Sequence, residues 1–262
     1  MTLNELLEQV GQNQVAGVLL VLGRIGPLFL LAPLFSSKLI PARAKSVCAV
    51  ALAIGIAPIA LGGSEVPVQI GAFVELMLKE MLVGLAYAFA LGALFAAVAT
   101  AGSFLDTLIG FSYGALVDPV TGTQSAVLTQ AYILVGIMVL IAIGGDGLII
   151  KGLARSYDLV PLLESPSLPA LVGGAQHAFV SVFLSALELA APVVLAIVIT
   201  DAAFGIVSRV VPQLNVFAVG FPAKVAVGLL MIGVSLPFAA GWMADELERS
   251  VSTALQSIQV TG

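Results

Sequence analysis

The chain has 262 residues, of which 60% are hydrophobic and only 10% charged, and its mean hydropathy is +1.14. Soluble domains carry about 25% charged residues and need them to face water, so this balance excludes a water-covered globule and describes an all-α polytopic membrane protein. A net charge of −5 without a Lys/Arg cluster excludes a nucleic-acid partner, because no run of phosphates could be neutralised.

The N-terminus, MTLNELLEQVGQNQ, carries Glu5 and Glu8 where a cleavable signal would carry positive charge. Leu3, Leu6, Leu7 and Val10 recur at helical spacing, which predicts a short amphipathic lead-in to an uncleaved first span. Residues 15–35 form that span. They contain Arg24, which must face protein or water at this depth, and Pro27, which should kink the segment or split it into two short helices. The loop SSKLIPARAK holds Lys38, Arg43 and Lys45 and is the best cytoplasmic-side marker. A second span covers residues 46–62 and includes Cys48. That cysteine is the only one in the chain, so no internal disulfide or CxxC pair can form.

Residues 70–105 exceed one straight crossing. Their first part carries Glu75, Lys79 and Glu80, of which Glu75 and Lys79 stand four apart and suit a helical ion pair. Their second part repeats small residues every fourth position, Gly84, Ala88, Gly92, Ala96 and Thr100, with a parallel row at Ala93, Ala97 and Ala101. Such ridges let helix backbones approach closely.

Residues 102–122, GSFLDTLIGFSYGALVDPVTG, lie between the two longest charge-free runs, 81–105 and 119–145. Asp106 and Asp118 enter there, glycines stand at 102, 110, 114 and 122, and Asp118-Pro119 is a turn signal. Gly110, Phe111, Tyr113 and Leu116 make the segment apolar, aromatic and flexible at once. Irregular backbone at membrane depth persists only where protein buries it or where it lines a cavity. The segment therefore reads as a plug or gate element.

Beyond it, residues 125–145 predict a span ending in GGDG. A polar stretch, 146–177, holds a short interfacial helix at 147–157 and then a proline-rich loop ending near His177. Residues 178–208 are again over-long, with interruptions expected at Glu188, Pro192 and Asp201. A turn over 212–222, an apolar helix over 223–243 and a short solvated tail helix complete the chain. The sum is about six long, kinked apolar helices, several of them too long, charged or broken to be simple crossings of the ~20 residues that a bilayer needs. The expected layout is a single domain: N-terminal helices over 1–105, a plug loop over 106–122, C-terminal helices over 123–244 and a polar tail over 245–262.

Three chemistries compete with a plug. Gly110-Phe111-Ser112-Tyr113-Gly114 matches G-x-S-x-G, and His177 follows in hydrolase order, but the flanks are membrane-grade helices and not a strand–turn–helix elbow. An intramembrane serine protease using Ser112 and His177 is the version that avoids this objection. The in-span charges Arg24, Glu188 and Asp201 could relay ions or form structural pairs. A stand-alone small-solute transporter should carry an inverted repeat with paired broken helices, and no convincing repeat is present. One His and one Cys give no metal spacing, and no phosphate-cradling glycine loop exists. No cofactor is expected.

Three stretches together resemble the FliR family of flagellar biosynthesis proteins and their virulence-system counterparts in type III secretion. They are GRIGPLFLLAPLFSSKLIPARAK, LDTLIGFSYGALVDPVTG and VPQLNVFAVGFPAKVAVGL. The last is the most specific, through Pro212, Gln213, Asn215, Phe217, Gly220, Pro222 and Lys224. The resemblance covers essentially the whole chain and favours the flagellar branch. It implies a non-enzymatic, all-helical export-gate subunit of the bacterial inner membrane at the flagellar basal body. Such a subunit assembles with FliP-type and FliQ-type subunits in a pseudo-helical ring, works beside FlhB-type and FlhA-type subunits, and passes unfolded flagellar proteins. It further implies that residues 106–122 form an inner plug, with Asp106, Gly110, Phe111, Tyr113, Leu116, Asp118 and Pro119 among its members.

Overall fold

A computed structural model describes residues 3–36, 40–67, 69–113, 127–213 and 215–258. Among them all regular structure is helical. The helices are α1 (Leu3–Leu31), the short α2 (Pro33–Ser36), α3 (Ala42–Leu61), α4 (Ile70–Ile109), α5 (Val127–Ala142), α6 (Gly145–Leu159), α7 (Leu168–Val210) and α8 (Val216–Ser257), with one 3-10 turn at Phe111–Tyr113. Five of these are long and apolar enough to cross a membrane, six if α5 and α6 count as one broken span. The chain is an all-α, multi-pass membrane protein.

The ends of the longest helices lie farther out than the sequence predicts. α4, α7 and α8 run for 40, 43 and 42 residues. At 1.5 Å per residue that is about 60 Å, twice the ~30 Å of a bilayer core. Pro27 does not split the first segment, since α1 continues through it to Leu31. Glu188, Pro192 and Asp201 do not interrupt α7, and Pro222 and Pro237 both lie inside α8. A proline costs one amide bond and displaces one carbonyl, and membrane helices tolerate this where neighbours re-satisfy the freed group. The expected turn over 212–222 therefore shrinks to the residues around 211–215.

The chain divides into two units. The first comprises Met1–Ala93, Gly144–Phe179 and Leu247–Gly262. Here α1 buries Leu20, Val21, Arg24, Ile25 and Leu28, one face of a 3.6-residue period, and packs on α3, which turns Ala49, Ala53, Ile56 and Ala57 inward. A second apolar cluster joins Val83, Val160, Leu171 and Ile258. The tail belongs to this unit and is not a separate solvated helix. Leu247, Ala254 and Ile258 are buried, at spacings that keep one face of α8 turned inward.

The second unit comprises Leu94–Ile143 and Val180–Glu246. Its core takes Ala97, Val98, Ala101, Leu105 and Ile109 from α4, Leu128 and Tyr132 from α5, Ala186, Leu189, Ala190, Val193 and Ile197 from α7, and Ala239 and Met243 from α8. The opposite side of α7 leaves Leu184, Leu195, Ile199 and Ile206 more than half exposed. In a chain of this composition such a face awaits lipid or other subunits.

Candidate functional site

The end of α4 is the best-defined part of the central region. Asp106 is no loop residue: the helix carries it inward, 3% exposed, within the second unit. Its Oδ1 accepts from the Leu128 N–H at 3.0 Å. Its Oδ2 accepts from the Thr129 N–H at 3.0 Å and from the Thr129 hydroxyl at 2.9 Å. The expected irregular segment thus begins eight residues later than Gly102, at Gly110, where φ of +105° ends the helix. Only glycine adopts that conformation cheaply. Phe111 follows, half-buried against the apolar core of the second unit. Tyr113 closes the 3-10 turn, and Gly114, Leu116, Asp118, Pro119 and Gly122 lie outside the described residues.

The in-span charges find partners inside the chain. Arg24 is fully buried. Its Nε and Nη2 grip the Glu80 carboxylate at 2.6 and 2.8 Å. Nη1 donates to the Ser156 hydroxyl at 3.1 Å, and Nη2 also donates to the Val160 carbonyl at 2.9 Å. The guanidinium stacks 3.9 Å over the Tyr157 ring. A bidentate, stacked arrangement is what Arg provides and Lys cannot. Nothing about this closed set suggests a passing ion, and it supports structural pairing over relay.

Asp201 meets Lys224 at 2.6 Å, linking α7 to α8. Glu188 is exposed and accepts from the Trp242 indole N–H at 3.2 Å. The Glu75–Lys79 pair forms as its spacing predicts, at 2.9 Å.

The string PQLNVFAVGFPAK spans a turn and a helix start. Pro212 and Gln213 are exposed in the turn, and Gly220 is buried on α8. Asn215 caps α8, its Oδ1 accepting from the Ala218 N–H at 3.1 Å, the ordinary task of an N-cap side chain. Pro222 is exposed within α8, and the side chain of Phe217 lies outside the described residues.

The small-residue ridge of α4 divides. A Cβ on Gly84 would strike the Arg24 carbonyl, so α1 and α4 touch backbone to backbone there. Ala88 is buried and Gly92 faces the Leu31 carbonyl, but Ala96 is exposed. Four residues of helix advance about 400°, so each step drifts roughly 40° and the row turns away within three steps. The parallel row at Ala97 and Ala101 enters the core of the second unit instead.

Ser112 is exposed, its hydroxyl 3.5 Å from that of Thr107. His177 lies inside α7, exposed, and not in the proline-rich loop. The two residues belong to different units. Among the described residues no group of three His, Cys, Asp or Glu side chains could hold a metal.

Sequence reasoning noted Glu80 without finding its partner, and it missed Ser156 and Thr129. Glu80 stands next to Lys79, whose own pairing with Glu75 drew attention away from it. Ser156 and Thr129 lie 132 and 23 residues from their partners and leave no local signal.

The model of a family described as bacterial export proteins, family 1, matches residues 15–250. The flagellar biosynthetic protein FliR of Bacillus subtilis is 33% identical over 224 residues, 83% of this chain and 85% of that protein. The FliR of Escherichia coli K12 is 28% identical, with 83% of each chain covered. The surface presentation of antigens protein SpaR of Salmonella typhimurium is also 28% identical, over 83% of this chain and 82% of its own length.

Proposed function

Since this chain belongs to the FliR family of bacterial export proteins, a family of export components and not of enzymes, we propose that it is the FliR-type subunit of a flagellar export gate. Membership makes it a multi-pass membrane component of a type III export apparatus. The finer reading assembles it with FliP-type and FliQ-type subunits into the conduit that passes unfolded flagellar proteins across the inner membrane, beside FlhB-type and FlhA-type subunits. Its central segment, from Gly110 through Phe111, Tyr113 and Leu116 to Asp118 and Pro119, is the stopper of the closed conduit.

The observation that carries this reading is the junction at the end of α4. A 40-residue apolar helix stops at a glycine of positive φ, and the next residues in sequence are apolar, aromatic and glycine-rich. An apolar constriction excludes water and ions by dewetting, and a glycine at its foot lets the chain swing without a large backbone penalty. The plug does no bond-making. It needs an energy source supplied by other components of the apparatus.

Deletion of residues 110–116 tests the plug. The variant is expected to co-purify with its partners and, in the reconstituted complex, to conduct ions that the parent complex holds back. Unchanged conductance in an intact complex would reject the plug.

A further inference from the structure

The first backbone N–H groups of any helix lack intrahelical partners. In a membrane chain water is not at hand to satisfy them. For α5, which begins at Val127, the N–H groups of Leu128 and Thr129 are the ones that the side chain of an N-cap residue ordinarily takes. Here the acceptor comes from another helix. Asp106, 22 positions before Leu128, takes both N–H groups on its two oxygens and the Thr129 hydroxyl as well.

Three further observations make this a built joint. A Cβ on Gly102, one turn before Asp106, would lie 2.5 Å from Thr129 Cα and 3.1 Å from the Leu128 carbonyl, so the missing side chain lets the two backbones meet. Leu105, Ile109, Leu128 and Tyr132, from the same two helices, belong to one buried apolar cluster, and Asp106 itself is only 3% exposed. The positive end of the α5 dipole faces the carboxylate, and a charge this buried needs all of its partners.

We infer that Asp106 is the positioning residue of the gate: from the last turns of α4 it caps the first turn of α5, and so fixes the two feet between which the central segment is strung. This rests on the plug reading, because a stopper is only as well placed as its feet. The carboxylate moves no proton and touches no export substrate. It sets a distance. Asparagine cannot replace it, since an amide would turn an N–H2 donor toward one of the two backbone N–H groups.

The test uses the purified complex with its gate partners. Hydrogen exchange is followed at the first-turn amides of α5, and ion conductance is measured after reconstitution. Asp106→Asn is expected to speed exchange at Leu128 and Thr129 about tenfold or more and to raise conductance while the complex stays assembled. Thr129→Val, which removes only the hydroxyl bond, gives a smaller rise in both, and Thr129→Ser restores the parent values. Unchanged exchange in Asp106→Asn overturns the cap. Faster exchange without added conductance, in a complex that leaks when residues 110–116 are deleted, overturns the positioning role and leaves the plug standing. Faster exchange with no leak from either variant removes the plug, and the positioning role with it.

Discussion

The pairs Arg24–Glu80 and Lys224–Asp201 have the same 2.6 Å separation and little else in common. In the first, both side chains are withdrawn from solvent, 0% and 1% exposed. Four hydrogen bonds and an aromatic ring close around the guanidinium. In the second, the side chains are 26% and 48% exposed. Distance therefore says little about strength. The first pair ties α1, α4 and α6 into one unit, and the second joins two neighbouring helices on a face that remains open.

The largest expected effect breaks the buried pair from one side. Glu80→Leu leaves an uncompensated guanidinium in the core and should cost about 3–5 kcal/mol, read as a lower thermal midpoint of the purified complex and less chain in membranes. Arg24→Met combined with Glu80→Leu removes both charges and should recover most of that loss. If Glu80→Leu alone is harmless, the contrast between the two pairs has no energetic content.

Gly84→Ala sharpens the comparison without touching a charge. The new Cβ would meet the Arg24 carbonyl, which cannot retreat without pulling the guanidinium off its partners. Overpacking of this kind costs about 1–3 kcal/mol. Gly26→Ala, with nothing within 4 Å of the new atom, is the matched control and should be close to neutral on the same thermal assay.

The sequence made these two pairs unequally legible. Arg24 declared itself, because a guanidinium in an apolar run must face protein or water, with relay and structural pairing both open. Its partner did not, since Glu80 is 56 residues away and looked like part of the Glu75–Lys79 surface pair. The helix count, the membrane class and the family strings were readable because composition and hydrophobic runs are local properties. Helix ends were not. Proline and in-span charge predicted breaks at Pro27, Pro192, Asp201 and Pro222, but chain packing satisfies those groups and the helices run on. Asp106 is the instructive miss for the site. Next to Gly102 and Gly110 it read as a loop residue, whereas its acceptors' partners lie beyond the whole central segment. The tail was misread as solvated: Leu247, Val251, Ala254 and Ile258 keep a helical stripe that its charged neighbours disguised.

The smallest effect belongs to Lys224–Asp201, and it tests what covers that face. A double-mutant cycle with Lys224→Met and Asp201→Asn should give a coupling of about 0.2–1 kcal/mol, the range for pairs that water reaches. Raising the salt from physiological strength to 1 M shortens the screening length from about 8 to about 3 Å, so that coupling should shrink toward zero. The buried Arg24–Glu80 coupling should hardly change. A half-exposed pair on helices this apolar cannot face acyl chains without several kcal/mol of penalty, so it needs either water or a neighbour's polar groups. A coupling that salt does not move would mean that partner subunits seal the pair within the assembled complex. The distinction between the two pairs would then belong to the isolated chain alone.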